Sequence, residues 1–236
     1  MLLISANMLE YGGMEILYED NHLIAVSKPH GMLTQGDDTG DTCLLEEVRK
    51  LIKDRGVKPG NVFLGLLHRL DRPVGGVVLF AKTSKGASRL SDQIRMRRVE
   101  KVYWAVCEGS PAAAMGEVVQ WLVKDEATNT VTAYGEEVPG SVKAELGYRV
   151  RQTIGEGKNK LSLMEIRPKT GRPHQIRVAM GTLGIPIVGD KKYGAQQMLD
   201  GNIALFARSF GFDQPVTKKR VMVTAEPTLP IFKQFV

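Results

Sequence analysis

The chain has 236 residues, of which 43% are hydrophobic and 25% charged, a balance that places it among soluble globular proteins of one substantial domain or two packed lobes. Its formal net charge of +6 points to a polyanionic partner, nucleic acid ahead of a membrane surface. Two cysteines, Cys43 and Cys107, exclude a disulfide framework and a cysteine-based zinc cluster, and no apolar run is long enough to cross a bilayer.

In chain order, Met1 to Ala6 has neither the basic start nor the apolar core of a signal peptide. The pattern sets in abruptly at Met14, so residues 1–13 read as a disordered extension and 14–236 as one domain. Glu15–Tyr18 and Leu23–Val26 read as strands joined by a turn at Glu19-Asp20-Asn21, with Lys28-Pro29-His30-Gly31 ending the second. Gln35 to Asp41 is a loop. Thr42 is placed to cap a helix with apolar positions Leu44, Leu45, Val48, Leu51 and Ile52, stopped by Gly56. Val57 to Leu67 leads back to His68-Arg69-Leu70-Asp71-Arg72-Pro73-Val74-Gly75-Gly76. The apolar run from Val77 to Ala81 then reads as a strand buried on both faces.

Thr83-Ser84 opens a second helix, with Ala87, Leu90 and Ile94 on one face and Lys85, Arg89, Asp92 and Arg95 on the other. Arg97, Arg98 and Lys101 extend that charge, which is either a solvated face or a stripe for phosphates. In the strand from Lys101 to Val106, period two sets Val102, Trp104 and Val106 apart from Tyr103, Ala105 and Cys107. On that count Tyr103 does not share the main apolar face. More strands follow at Glu117–Lys124, Val142–Val150 and Leu161–Ile166, with a hairpin tip at Gly155–Asn159. Pro173 suits the first turn of a helix on which Ile176, Met180 and Leu183 are apolar. Arg177 and Gly181 share a side with little bulk, from which Arg177 can reach another element. Ile203–Phe210 and Arg220–Ala225 are the last strands. Many strands and few helices predict an α+β fold around a large, mostly antiparallel sheet.

The chain lacks a phosphate loop of the GxxxxGK[ST] type, HExxH, CxxC and a dinucleotide fingerprint, and His22, His30, His68 and His174 lack metal-ligand spacing. This predicts no cofactor and no catalytic metal. What stands out is one carboxylate, Asp71, between two arginines at a turn ahead of a buried strand. Loops anchored in this way often carry chemistry, although a surface ion pair gives the same local pattern.

The stretches LYEDNHLIAVSKPHGM, GLLHRLDRPVGGVVLFAKTSKGA, EKVYWAVCEG, TGRPHQIRVAMGTLGIPIVGDKKYG and IALFARSF carry a resemblance to the RluA-type pseudouridine synthases, in that family's order and over nearly the whole chain. The resemblance implies a curved mixed sheet flanked by short helices, with a central RNA-binding cleft. It implies an isomerase that flips a uridine of ribosomal or transfer RNA and re-attaches its base through C5. Asp71 matches the essential aspartate, either as a nucleophile at the sugar or as the base for its 2′ proton. Tyr103 matches the tyrosine that stacks on the target base, and Arg177 the arginine that pairs with the aspartate. Arg69 matches the residue that fills the gap left by the flipped base, and Leu205 lines the pocket.

His68, Arg72, Lys85, Arg89, Arg98 and Arg172 are the further RNA-contact candidates. The chain departs from the usual pattern at Val74-Gly75-Gly76, Ser27, Ala179 and Phe206, which implies a divergent subfamily. Too few residues precede Met14 for a separate domain of the S4 kind. The expected protein is a cytoplasmic monomer. The competing readings are an inactive RNA-binding protein of the same fold and a glycan or nucleoside hydrolase, which would want a second carboxylate.

Overall fold

The computed structural model describes residues 2–3, 9–11, 14–56 and 62–235. Its elements are β1 (Leu2–Leu3), β2 (Leu9–Tyr11), β3 (Met14–Glu19), β4 (Leu23–Lys28), α1 (Leu44–Asp54), β5 (Gly65–Leu66), β6 (Gly75–Ala81) and α2 (Ser84–Arg95). There follow β7 (Glu100–Glu108), β8 (Met115–Asp125), β9 (Thr130–Tyr134), β10 (Val142–Ile154), β11 (Leu161–Pro168), α3 (Gln175–Thr182), β12 (Leu205–Asp213) and β13 (Arg220–Thr224). The strands are paired antiparallel almost throughout, which makes this the expected α+β class. The chain divides into two compact units, one of Met1–Lys101 with Ala207–Pro227 and one of Val102–Phe206 with Thr228–Val236.

In the first unit the strand order is β2-β3-β4-β6-β12, with β13 beside β12, β1 parallel to β13, and β5 on β6. Every residue of β6 is buried, as the unbroken apolar run predicts. Gly76 is required there. Its φ is +118°, and a Cβ would lie 2.3 Å from the Ala207 carbonyl oxygen. Of residues 1–13, read from sequence as an extension, Leu2–Leu3 and Leu9–Tyr11 pair as strands, and the rest lies outside the described residues. Most of the link read over Val57–Leu67, residues 57–61, is outside them too.

Two helix readings change. Thr42 does not cap α1. The N-cap is Cys43, without a side-chain bond, and the first helical N–H groups of Leu44 and Leu45 are instead taken by the carbonyls of Leu33 and Thr34. In α2, Thr83 caps as expected, accepting the Gly86 N–H at 3.1 Å. However, Arg89 is not part of a free charged face. It donates to the Pro215 carbonyl at 3.0 Å, and the next turn's Gln93 exchanges two bonds with the Asp213 backbone. Both residues tie α2 to the β12–β13 hairpin.

In the second unit the order is β7-β11-β10-β8-β9. Strand β9 has no counterpart in the sequence reading, because Thr130–Tyr134 is short and half polar. The two faces of β7 do not divide into apolar and polar. Ala105 and Cys107, on the Tyr103 side, are fully buried, while Trp104 on the other is half-buried. β7 is an inner strand, bonded on one edge to β11 and on the other to Val188 and Ala204.

Helix α3 starts at Gln175, with His174 as N-cap at φ +50°, so Pro173 precedes the helix rather than opening it. All residues from Gln175 to Met180 are buried, while Leu183, read as apolar core, is half-buried. Val178 packs into a core of Leu122, Val131 and Ala144. The low bulk at Gly181 allows a close approach, since a Cβ there would meet the Tyr193 carbonyl at 3.0 Å.

Candidate active site

The Asp71 loop belongs to the first unit and is held at each alternate residue. His68 stacks on Phe210, with ring centroids 4.7 Å apart, and its Nε2 accepts the Leu79 N–H of β6 at 3.1 Å. Leu70 uses both backbone groups on one hydroxyl: Thr34 Oγ1 donates to its carbonyl at 2.8 Å and accepts its N–H at 3.2 Å. The Arg72 carbonyl accepts the Gly31 N–H at 2.9 Å and the Lys28 ammonium at 3.2 Å. Between these fixed points Arg69 is exposed and Asp71 half-buried, and the Asp71 carbonyl closes a turn onto the Val74 N–H. The loop backbone is thus tied down at residues 68, 70 and 72, on either side of Arg69 and Asp71.

Lys28 is the group the sequence reading missed. It is 1% exposed, and its ammonium also donates to the carbonyls of Pro29 and Met32, at 3.1 and 2.6 Å. Burial pulls its pKa down to about 7, against the opposing pull of the Asp71 charge and with a small push from Arg72. The signal was present as Lys28-Pro29 at a strand end, but nothing local says that a lysine there turns inward.

Two arginine and histidine assignments shift. His68, expected at the RNA, has its pKa lowered to about 3 by burial and by Lys101, so it is neutral and holds the loop to β6 instead. Arg72 donates to the Gly31 carbonyl at 3.1 Å and pairs with Asp41 at 2.7 Å, joining two loops at the surface. Lys85 and Arg98 are exposed, as an RNA-facing role requires.

The second unit holds Tyr103, Arg177, Arg172 and Leu205. Tyr103 is half-buried on β7, paired in register with Ile166 of β11. Arg177 is 8% exposed and makes a two-pronged ion pair with Asp190, each bond 2.7 Å. Its guanidinium lies over the Tyr193 ring at 5.2 Å, and the Tyr193 hydroxyl bonds His174 Nδ1 at 2.7 Å and accepts the Val131 N–H. Asp190 and Tyr193 come from Gly189-Asp190-Lys191-Lys192-Tyr193-Gly194, read from sequence only as a polar loop. A buried arginine demands a carboxylate, and this was the signal available. Arg172 is exposed, with its Nε given to the Lys143 carbonyl, and Leu205 is buried at the start of β12. Among the described residues no group of three or more His, Cys, Asp or Glu is arranged to hold a metal ion, and no helix is long and apolar enough to cross a membrane.

The first unit presents a half-buried carboxylate on a braced loop; the second holds a buried arginine clamp and a half-buried tyrosine. The chain belongs to the RNA pseudouridylate synthase family, whose model matches residues 22–181. An uncharacterized RNA pseudouridine synthase of Bacillus subtilis is 30% identical, over 94% of this chain and 70% of its own length. The tRNA pseudouridine synthase C of Vibrio cholerae is 32% identical over 90% of each chain. The ribosomal large subunit pseudouridine synthase D of Borreliella burgdorferi is 31% identical, and this chain spans 61% of its length. Among solved structures, human RNA pseudouridylate synthase domain containing 4 matches with a TM-score of 0.71 and 25% identity, over 92% of this chain and 89% of that one.

Proposed function

We propose that this protein isomerises a uridine of ribosomal or transfer RNA to pseudouridine, with Asp71 acting at the ribose, Tyr103 stacking on the extruded base and Arg177 supporting the aspartate. In the reaction the N1–C1′ bond breaks, the uracil turns, and a C5–C1′ bond forms. C5 loses its proton and N1 gains one, so nothing is oxidised or reduced. Asp71 takes part either as a nucleophile at C1′ or as the base that removes the 2′ proton.

The observation that carries this reading is the bracing of the Asp71 loop by Thr34, His68 and the buried Lys28. Extruding a base costs a few kcal/mol, and a carboxylate that must meet a transient sugar gains from a backbone that does not move. Stacking on Tyr103 returns roughly 1–3 kcal/mol of the extrusion cost. Arg69, exposed between two fixed residues, fills the vacated stack. Lys85, Arg98 and Arg172 hold flanking phosphates. The protein works as a cytoplasmic monomer without a cofactor.

The test is tritium release from RNA labelled at uridine C5, with pseudouridine mapped chemically in the product. Wild type releases tritium, and Asp71→Asn is slower by at least about a hundred-fold. Equal release by the two proteins removes Asp71 from the mechanism.

A further inference from the structure

The second unit carries a cluster that the proposed reaction does not use. Glu165 of β11 is 7% exposed, and three arginines converge on it. Arg151 bonds it at 2.7 Å, Arg167 at 3.1 Å and Arg149 at 3.4 Å. Their side chains are 40%, 54% and 55% exposed. Arg151 also lies over the Trp104 ring, 5.2 Å from its centroid. All three arginines share one carboxylate, whose lone pairs accept about four hydrogen bonds.

Register places the cluster. Arg149 pairs with Glu165, and Glu165 with Trp104, so the three share one face of the β10-β11-β7 sheet. Arg167 is two residues from Glu165 and shares that face. Arg151 reaches it from the bulge at Val150/Gln152. Tyr103 is adjacent to Trp104 in β7 and belongs to the opposite face. Beside Arg167 on β10 stands Gly147, which has no side chain, and beyond it Glu117, already paired with Lys169 at 2.6 Å.

We infer that Arg149, Arg151 and Arg167 form a second RNA-contact surface, which takes the phosphate backbone of a segment other than the one that presents the target base to Tyr103. Glu165 acts as a post. It fixes the guanidinium forks from below, and their side chains, 40% to 55% exposed, are accessible to phosphate. Fixed forks lose less side-chain entropy on binding than free ones. With Trp104 already covered by Arg151, the surface offers charge and N–H donors rather than base stacking, so it reads RNA as a polyanion and not by sequence.

The inference rests on the reading of the chain as an RNA-acting enzyme, but it is tested by binding alone. Dissociation constants for a mixed-sequence RNA duplex two helical turns long are measured over a potassium chloride series. They are compared for wild type, Arg149→Gln and the triple variant Arg149→Gln, Arg151→Gln, Arg167→Gln. The log–log salt slope is expected to fall by about one for each arginine replaced. Arg149 makes the longest contact with Glu165, so its single variant keeps the fold when the triple variant does not. A slope for Arg149→Gln equal to that of wild type, in a protein with an unchanged melting profile, assigns the cluster to fold maintenance and overturns the inference. The slope does not depend on whether pseudouridine forms, so failure of the functional reading and failure of this one are separate results.

Discussion

Lys28 concentrates the physics of the Asp71 loop in one side chain. A buried ammonium is costly unless its donors are used, and here three carbonyls from two segments take them. Its folded pKa of about 7 lies below the unfolded value of 10.5. Between those values the unfolded chain binds more protons, so this group makes stability rise with pH from about 7 to about 10.5, by at most about 1.4 kcal/mol per pH unit, and adds no slope below 7. Lys28→Met is expected to flatten that rise in urea unfolding curves measured across the window. Because the Asp71 charge favours the ammonium, Asp71→Asn is expected to lower the Lys28 pKa further, read by NMR titration of its ε-carbon. Arg177 makes a comparable demand. With Asp190→Asn its charge stays buried without a countercharge in that pair, at a cost of about 3–5 kcal/mol in denaturant unfolding.

At the scale of elements, close approach and capping decide more than propensity. Gly76→Ala adds a Cβ at 2.3 Å from the Ala207 carbonyl and strains a φ of +118°, so β6 and β12 must part locally. A loss of at least about 2 kcal/mol is expected, with hydrogen exchange accelerated in β6 and β12 before the rest of the first unit. Thr83→Ala, by contrast, removes one cap bond from α2 and is expected to cost only about 1 kcal/mol in the same measurement. α2 is also tied to the β12–β13 hairpin by Arg89 and Gln93, so its remaining anchors limit the damage.

Over the whole molecule, two carboxylates held below their usual range tie stability to acid. The Asp20 carboxyl is pushed up by burial, but hydrogen bonds from Tyr18, Gln214 and the His22 and Leu23 amides bring it below the usual range. Glu165 is likewise pushed up by burial and more than offset by its arginines. Both pKa values are depressed in the folded state. Their stabilisation is complete above the unfolded values and is lost as pH falls through the folded ones. The unfolding free energy is expected to drop steeply below about pH 4, and a combined Asp20→Asn, Glu165→Gln variant to be less stable at pH 7 with a shallower acid decline. An equal decline in both proteins would place the acid sensitivity elsewhere.

What the sequence determined by itself was local or contiguous. The buried run of β6, the cap at Thr83, the hairpin tip near Gly155 and the turn carrying Asp71 all follow from neighbours a few residues apart. The motifs from HRLD to GDKKYG likewise sufficed for the family. Only the tertiary structure decided which polar group answers which. Lys28 finds Arg72, Thr34 finds Leu70, His68 finds Leu79, and Arg177 finds Asp190. Two of these partners lie 44 and 36 residues apart, and even the nearer ones are set by how strands and loops pack. A buried polar group must be satisfied, but the sequence does not say by whom, because that choice is made through space once the apolar faces have closed.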